Sequence, residues 1–244
     1  MVHRLLAVAV VVLQQLYQIN GIQRRMLTTT PEEKPQAHQL DLPGGLQAYP
    51  PTTLVAGVDE VGRGALFGPV VAAAVILAAD AVPTLAAAGV TDSKLLSAER
   101  RLMLAEQIRA GALAYQVCYA SVWEIDRLNI LQASLLAMKR AVVKLSLTPD
   151  LCLVDGNQRI PGLVLPQQTL VKGDQRSLAI ASASILAKVW RDALITRLAV
   201  KYPQYNLAAN KGYGTPFHRT ALQVHGPSRW HRRSFSPCRR TLER

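Results

Sequence analysis

Residues 56–64 read AGVDEVGRG, and they are the most informative stretch of the chain. A short apolar run, TLVAGV, leads directly into two acids, Asp59 and Glu60, and an arginine between two glycines follows. Strands usually exclude acids, and adjacent carboxylates repel each other. The pattern therefore predicts a buried strand whose end carries acids that something positive neutralises.

The composition is that of a globular and strongly basic chain. Half of the 244 residues are hydrophobic, which allows one domain with a sizeable core. Lysine and arginine number 28 against 16 acids, and residues 201–244 hold nine of these basic residues but one acid, Glu243. This excess indicates a polyanionic partner, with nucleic acid ahead of a membrane surface, although a solvated face would carry the same charge.

Three scattered cysteines, Cys118, Cys152 and Cys238, are too few for a disulfide framework or a zinc site. Cys118 and Cys152 lie in apolar runs that are typical of buried thiols, so we expect a reducing, cytoplasmic location. The histidines are isolated and indicate no metal site. No heptad pattern or repeated apolar face is present, and a monomer is expected.

Three segments are predicted along the chain. In residues 1–52, the apolar run 5–13 is shorter than the ~20 residues that span a bilayer, and a Pro- and Thr-rich stretch follows. We interpret this segment as a disordered extension, or as sequence upstream of a true start at Met26, rather than as an export signal, because no cleavage site follows. Residues 53–237 are the predicted folded domain, and 238–244 a short basic tail.

Hydrophobic patterning predicts an α/β domain in the order β-β-β-α-α-β-β-α, with a mixed central sheet flanked by helices. The first three strands, expected in residues 53–59, 69–77 and 112–122, would form an antiparallel meander. Two further strands, in 151–156 and 169–174, each end in an acid.

Helical periodicity predicts helices over 97–111, 124–145 and 176–202. The first has Ser97 as its N-cap. The second carries four apolar residues on one face: Leu128, Leu131, Leu135 and Met138.

Asp59, Asp155 and Asp174 each end a predicted strand, and reactive groups gather at the carboxyl ends of strands in open α/β sheets. Glu60 can join them only if the strand ends at the acids, since consecutive strand residues point to opposite faces. Four carboxylates in one cleft suit Mg²⁺ or Mn²⁺, and two such ions can promote phosphodiester hydrolysis. Alternatively, the acids are separate helix caps or surface charges.

The glycines of GRG, Gly62 and Gly64, would let the backbone approach a ligand closely, and Arg63 offers a fork that matches phosphate. A GxG is weak evidence alone, because most are ordinary turns. Its position beside the acids makes it informative here.

Six segments together resemble the bacterial ribonuclease HII family: AGVDEVGRGALFGPVVAAAVIL, TDSK, LVDGNQRIP, LVKGDQRSLAIASASILAKVWRD, KGYGTPFHRTAL and HGPSRWHRRSF. They lie in the family's order across residues 53–237, and the resemblance does not cover residues 1–50. It implies a ribonuclease H-like catalytic domain. The implied activity is metal-dependent cutting of RNA in RNA–DNA hybrids and, in duplex DNA, cutting 5′ to a single ribonucleotide, which leaves 3′-hydroxyl and 5′-phosphate ends.

The resemblance also implies roles for individual residues. Asp59, Glu60, Asp155 and Asp174 would be the catalytic ligands of Mg²⁺ or Mn²⁺. The substrate-binding residues would be Gly62, Arg63 and Gly64 at the ribose 2′-hydroxyl and its phosphate, Tyr213 on the sugar at the junction, and Lys94 on a backbone phosphate. Without the resemblance, Tyr213 and Lys94 would be taken for ordinary surface residues.

The long Ala- and Ser-rich helix carries further candidates. Ser177, near its N-terminus, could contact phosphate, whereas Ser182 and Ser184 are expected to serve close packing. The three charged residues Lys188, Arg191 and Asp192 are expected to face solvent or to pair with each other.

The sequence departs from the family pattern in three places. Asn210 stands where a histidine is usual, which would alter substrate contact or pH response. Phe67 replaces a small residue and would crowd its loop, and Ser182 replaces a common alanine. None of these changes touches the four acids.

Three other classes of protein remain open from sequence alone. A junction resolvase or transposase-type nuclease would share the acids but lack the GRG and GYGT pair. A basic hybrid-binding module would keep the acids for structure only. A secreted or membrane protein would need a processed or membrane-bound N-terminus.

Overall fold

The computed structural model describes residues 52–242, so the predicted extension 1–52 lies almost entirely outside the described residues. One five-stranded sheet has the order β3-β2-β1-β4-β5, and its strands are β1 (Val55–Val61), β2 (Val70–Leu77), β3 (Ala112–Ala120), β4 (Leu151–Asp155) and β5 (Gln167–Leu170). β2 is antiparallel to β1 and β3, whereas β4 is parallel to β1 and β5. The predicted α/β class, mixed sheet and antiparallel meander are confirmed.

The helices within this range are α1 (Ala81–Ala87), α2 (Ala98–Gly111), α3 (Val122–Leu128), α4 (Ile130–Val143), α5 (Leu178–Ala199), α6 (Leu207–Asn210), α7 (Pro216–His225) and α8 (Ser236–Leu242). Short 3₁₀ turns occupy Gly173–Gln175 and Pro203–Tyr205. Ser97 caps α2 by accepting a hydrogen bond from the Arg100 amide at 3.1 Å, as predicted.

Both faces of the sheet are buried, so its strand ends are the parts that remain available to a ligand. One face packs in a cluster with residues of α4, and the other packs against α2 and α5. Gly57 lets α5 lie directly on β1, because a Cβ at this position would come within 2.1 Å of the backbone carbon of Ala179. This close approach holds the start of α5 against the strand that carries Asp59.

After α5 the chain folds back over the loop 62–69. Phe67 of this loop is fully buried, with ring centroids 5.6 Å from Tyr202, 6.4 Å from Trp230 and 5.0 Å from His231. The expectation that Phe67 crowds its loop is therefore wrong. Phe67 anchors the loop in a small aromatic core.

Three predicted features differ from the structure. The helix expected over 124–145 is two helices, because Asn129 has a φ of 70° and caps α4 by accepting from the Gln132 amide. Leu128 is accordingly 42% exposed and does not share the predicted apolar face. The stated order β-β-β-α-α-β-β-α is wrong, because α1 and α2 precede β3, although the predicted bounds of the helix 97–111 and the strand 112–122 already place them in the observed sequence. The predicted tail 238–244 begins inside α8, where Cys238 is fully buried against the aromatic core.

Cys118, Cys152 and Cys238 are free, buried thiols, as the apolar runs around the first two indicate. Among the helices of residues 52–242, none is long and apolar enough to cross a membrane.

Candidate active site

Asp59 and Asp155 come together because β1 and β4 are parallel neighbours. Val58 lies opposite Val154 in the register, and the next residue of each strand is an acid. Asp59 is only 4% exposed. Burial, and then the charges of Glu60 and Asp155, raise the pKa of Asp59 well above its usual value.

Glu60 also lies at this site, but the condition that the sequence predicts for it, a strand that ends at the acids, is not met. β1 does not end at the acids, since Glu60 pairs with Ala72 and the strand continues to Val61. The Glu60 side chain is mostly buried and lies 3.3 Å from the Arg63 guanidinium. Burial raises the pKa of Glu60, Arg63 opposes this shift, and Asp155 adds to it. Glu60 therefore shares the electrostatic environment of Asp155 although it follows Asp59 within one strand.

Asp174 lies on a 3₁₀ turn rather than at the end of a strand, because β5 already stops at Leu170. The turn starts after Lys172, which has a left-handed φ of 56°. Asp174 is 6% exposed, and burial raises the pKa of its carboxyl, with further upward shifts from Asp92 and Asp155 and an opposing one from Lys94. The charge of Asp155 therefore raises the pKa of each of the other three predicted acids, Asp59, Glu60 and Asp174.

Lys94 lies beside the acids. Its Nζ is 3.5 Å from Oδ1 of Asp92 and 3.5 Å from Oδ2 of Asp174, and its side chain is 76% exposed. Asp92, which sequence reasoning did not single out, also accepts the Lys94 amide at 2.9 Å. The TDSK segment thus contributes a fifth carboxylate, Asp92, which is buried. This residue is part of the motif that the sequence analysis quotes.

Two serines of α5 have roles that differ from the predicted ones. Ser184 forms a hydrogen bond of 2.9 Å with Ser93 of the TDSK segment, and its hydroxyl group lowers the pKa of Asp59, so it links two parts of the site. Ser177 is fully buried and caps α5 by accepting from the Ile180 amide, which does not support a phosphate contact. Ser182 is buried without a hydrogen-bond partner and serves packing, as predicted.

The donor chemistry of the site fits a hard divalent cation. The four acids offer carboxylate oxygens, the ligands that Mg²⁺ and Mn²⁺ favour, and their mutual repulsion is relieved by positive charge. Within residues 52–242, no three acidic, His or Cys side chains already form a ready-made ligand group. Two cationic side chains, Lys94 and Arg63, instead pair with Asp174 and Glu60.

The GRG loop is attached to the segment that contains Tyr213. The Leu66 amide donates to the Gly212 carbonyl at 2.8 Å, and Ala65 forms a β-bridge with Tyr213. Gly62 has a φ of 91°, and a Cβ there would meet Arg191 Nε at 2.2 Å, whereas a Cβ at Gly64 would meet nothing within 4 Å. The protein therefore requires a glycine at 62 for its own packing but not at 64.

The charged residues of α5 follow the prediction only in part. Lys188 pairs with Asp192 at 2.9 Å, as expected. Arg191, however, is fully buried and donates to backbone carbonyls, so the prediction of a solvent-facing or paired side chain is wrong for it. Asn210 donates to the Tyr205 carbonyl at 2.7 Å and accepts from the Gly212 amide at 2.8 Å, which shows that it shapes the turn before Tyr213.

A mixed sheet with buried, interacting carboxylates at neighbouring strand ends defines a nuclease of the ribonuclease H-like class. The Ribonuclease HII family model matches residues 56–238. A Ribonuclease HII from Acaryochloris marina is 65% identical over 188 residues, which cover 77% of this chain and 95% of that protein. A Ribonuclease HII from a Nostoc species is 64% identical over 185 residues, 76% of this chain and 82% of that protein.

The fold agrees with these relatives. The crystal structure of ribonuclease H2 from Pyrococcus horikoshii matches with a TM-score of 0.68 at 27% identity, and the match covers 78% of this chain and 97% of that one. The chain belongs to the Ribonuclease HII family, so it is a metal-dependent endoribonuclease that cleaves the RNA strand of RNA–DNA hybrids. The resemblance found in the sequence is thereby confirmed.

Proposed function

We propose that the chain also nicks duplex DNA on the 5′ side of a single embedded ribonucleotide and leaves 3′-hydroxyl and 5′-phosphate ends. The observation that carries this proposal is the attachment of the GRG loop, whose Arg63 pairs with Glu60, to the Tyr213 segment through the Ala65–Tyr213 bridge and the Leu66–Gly212 hydrogen bond. The proposed sugar-reading site would therefore adjoin the proposed site of hydrolysis.

Asp59, Glu60, Asp155 and Asp174 are the proposed ligands of two divalent ions, Mg²⁺ or Mn²⁺. Such ions, when bound, activate a water molecule and stabilise the leaving oxygen of a phosphodiester. The protein's own contribution is to hold the four carboxylates together on β1, β4 and the 3₁₀ turn. Lys94, with a largely exposed side chain beside Asp174, is proposed to bind a backbone phosphate near the cut.

Recognition of a single ribose needs a donor and an acceptor at its 2′-hydroxyl, because this group alone distinguishes RNA from DNA at one position. Backbone groups of Gly62, Arg63 and Gly64 are proposed to supply both. The open space at Gly64 supports a close approach of substrate to this backbone. Tyr213 is proposed to pack its ring on the sugar at the junction between ribose and deoxyribose.

The test is a cleavage assay on three matched duplexes, which contain one ribonucleotide, a run of ribonucleotides, or DNA only. Each is incubated with Mg²⁺, Mn²⁺ or EDTA, and the cut is mapped on a sequencing gel. A metal-dependent nick just 5′ to the single ribonucleotide supports the proposal. Cutting only within the run of ribonucleotides would contradict single-ribose recognition and leave the metal site intact.

A further inference from the structure

Two buried arginines lie beneath the loop 62–69 and bind it by its carbonyl oxygens. Arg232, from the segment between α7 and α8, donates to the carbonyls of Gly62 at 2.7 Å, Arg63 at 2.7 Å and Gly68 at 3.0 Å. Arg191 of α5 donates to the carbonyls of Phe67 at 2.9 Å and Pro69 at 3.2 Å. Five of the loop's carbonyls are therefore engaged by two guanidinium groups.

Neither arginine forms a salt bridge among the described residues, and the charges of Asp192 and Asp126 only partly offset the effect of burial on the pKa of Arg191 and Arg232. Both side chains are fully buried, and none of the ion pairs among residues 52–242 includes either of them. Burial, and then the charge of Arg191, lower the pKa of Arg232 to about 9, which leaves it protonated at neutral pH. Buried charges without a counter-ion are costly, so a purely structural contact would more simply use neutral donors.

Because the carbonyl oxygens are held by the arginines, the direction of the N–H bond in each of the same peptide groups is fixed as well. In a planar trans peptide the C=O and N–H bonds point in opposite directions. The carbonyls of Gly62 and Arg63 face Arg232, so the amides of Arg63 and Gly64 face away from it. Neither amide has a hydrogen-bond acceptor within residues 52–242. The amides of Arg63 and Gly64 are therefore two consecutive donors that are available to a ligand.

Arg191 also connects this loop to Tyr213. Its Nη1 donates to the Lys211 carbonyl at 2.9 Å, and its Cζ lies 5.5 Å from the centre of the Tyr213 ring. One guanidinium therefore contacts both segments that are proposed to read the sugar.

We propose that Arg191 and Arg232 are positioning residues, which hold the loop 62–69 and the Tyr213 segment as one rigid unit with the Arg63 and Gly64 amides directed at the ribose and its phosphate. This inference rests on the proposed function, since it assigns to the arginines the geometry of the ribose-reading site. The two guanidinium groups also place positive charge beneath that site. This charge favours binding of a phosphate on the opposite side of the loop.

The test compares Arg232→Lys with Arg233→Lys, which alters the next residue, an exposed arginine. Lysine keeps the charge but cannot donate to three carbonyls at once. Binding of a duplex with one ribonucleotide and of a DNA-only duplex is measured by fluorescence anisotropy in EDTA, which prevents cutting. We expect Arg232→Lys to weaken binding of the ribonucleotide duplex about tenfold and of the DNA-only duplex less than about twofold. Arg233→Lys should leave the ratio of the two affinities unchanged.

Hydrogen exchange of the protein alone provides a second measurement that needs no substrate. In Arg232→Lys the Leu66, Phe67 and Gly68 amides should exchange about tenfold faster, because they are protected only while the loop is held, while amides of β2 should be unaffected. Equal acceleration everywhere, or an unchanged affinity ratio with a loosened loop, would overturn the proposal. If Arg232→Lys does not fold, the same two measurements are made on Arg191→Lys. If neither variant folds, the arginines serve the stability of the fold and the proposal is wrong.

The two measurements separate this inference from the proposed function. If the wild-type protein bound both duplexes equally, single-ribose recognition would be wrong. The exchange of the loop amides would then still decide whether the arginines hold the loop.

Discussion

The backbone amide of Gly173 donates a hydrogen bond of 2.7 Å to Oδ1 of Asp155. This contact attaches the 3₁₀ turn that carries Asp174 to the end of β4. Two of the proposed metal ligands, 19 positions apart in the sequence, are therefore linked, and the position of Asp174 depends on the side chain of Asp155.

Replacing Asp155 by asparagine should strongly reduce cleavage without unfolding the site. The carboxamide oxygen can still accept from Gly173, but the side chain has lost the negative charge that a divalent ion needs. We expect the single-turnover rate on an RNA–DNA hybrid to fall by about 10³-fold, with binding of the hybrid changed by less than about twofold. Asp80→Asn, at an exposed residue before α1 without a side-chain capping bond, is the matched control. A normal rate for Asp155→Asn would remove Asp155 from the metal site.

The two glycines of GRG should respond differently to alanine. Gly62→Ala places a Cβ against Arg191 at a positive φ, so the free energy of unfolding should fall by about 1–3 kcal/mol. Gly64→Ala adds a methyl group in open space, so thermal unfolding should match the wild type while cutting at a single ribonucleotide declines. Unaltered cutting by Gly64→Ala would mean that substrate does not approach this backbone closely.

Tyr213→Ala should impair cutting at a single ribonucleotide more than cutting within long hybrids. The ring is proposed to select the junction between ribose and deoxyribose, which a long hybrid lacks at most positions. We expect a loss of about tenfold or more in kcat/KM on the single-ribonucleotide duplex, because a contact on the sugar is comparable to the lower end of the about 1–3 kcal/mol that base–aromatic stacking contributes. Tyr213→Phe, which keeps the flat face, is the control. Equal losses on both substrates would dismiss the junction role.

A buried histidine pair should make stability fall in acid. The Tyr213 carbonyl can only accept, so His218 Nδ1 donates to it at 2.9 Å and His218 Nε2 accepts from His231 Nε2 at 3.0 Å. Both rings are therefore neutral in the folded protein. Burial and the neighbouring His218 lower the pKa of His231 to about 3, and burial lowers the pKa of His218 as well.

The direction of this pH effect on stability follows from proton uptake by the unfolded chain. Below pH 6.5 the unfolded chain binds protons at these histidines and the folded chain does not, so folding is progressively disfavoured between about pH 6.5 and 3. At pH 5 the contribution of His231 alone should lower the free energy of unfolding by about 2 kcal/mol relative to pH 7.5. Urea unfolding at both pH values would measure this, with His231→Gln reducing the difference and His225→Gln, at an exposed histidine, leaving it unchanged. An equal acid effect in all three proteins would place the titration elsewhere.

The sheet and the acids of β1 and β4 were predictable because their signal is local. Apolar runs that end in carboxylates stand together in the sequence, and strand ends of a mixed sheet meet at one edge. The break at Asn129 was missed because its left-handed backbone interrupts a hydrophobic pattern that continues on both sides. The pattern also places Asp174 at the end of a strand, because Val171 extends the apolar run beyond Leu170, where pairing stops.

The remaining contacts of the site were not predictable from pattern, because they join residues far apart in sequence. Ser93 and Ser184 are separated by 91 positions and look like packing residues until their hydroxyl groups are found 2.9 Å apart. Arg232 stands in a run of basic residues that composition alone assigns to a solvated, nucleic-acid-binding surface. Only the tertiary structure distinguishes this buried arginine from its exposed neighbour Arg233.

The hydrogen bond between Arg232 and the Gly62 carbonyl closes a span of 170 residues. Contacts of such long separation lose the most chain entropy and tend to form after local ones. During folding, we therefore expect β1 and β2 to bring Asp59 and Glu60 into place before the loop beside them is held. The loop that is proposed to read the sugar would then be among the last parts of the protein to form.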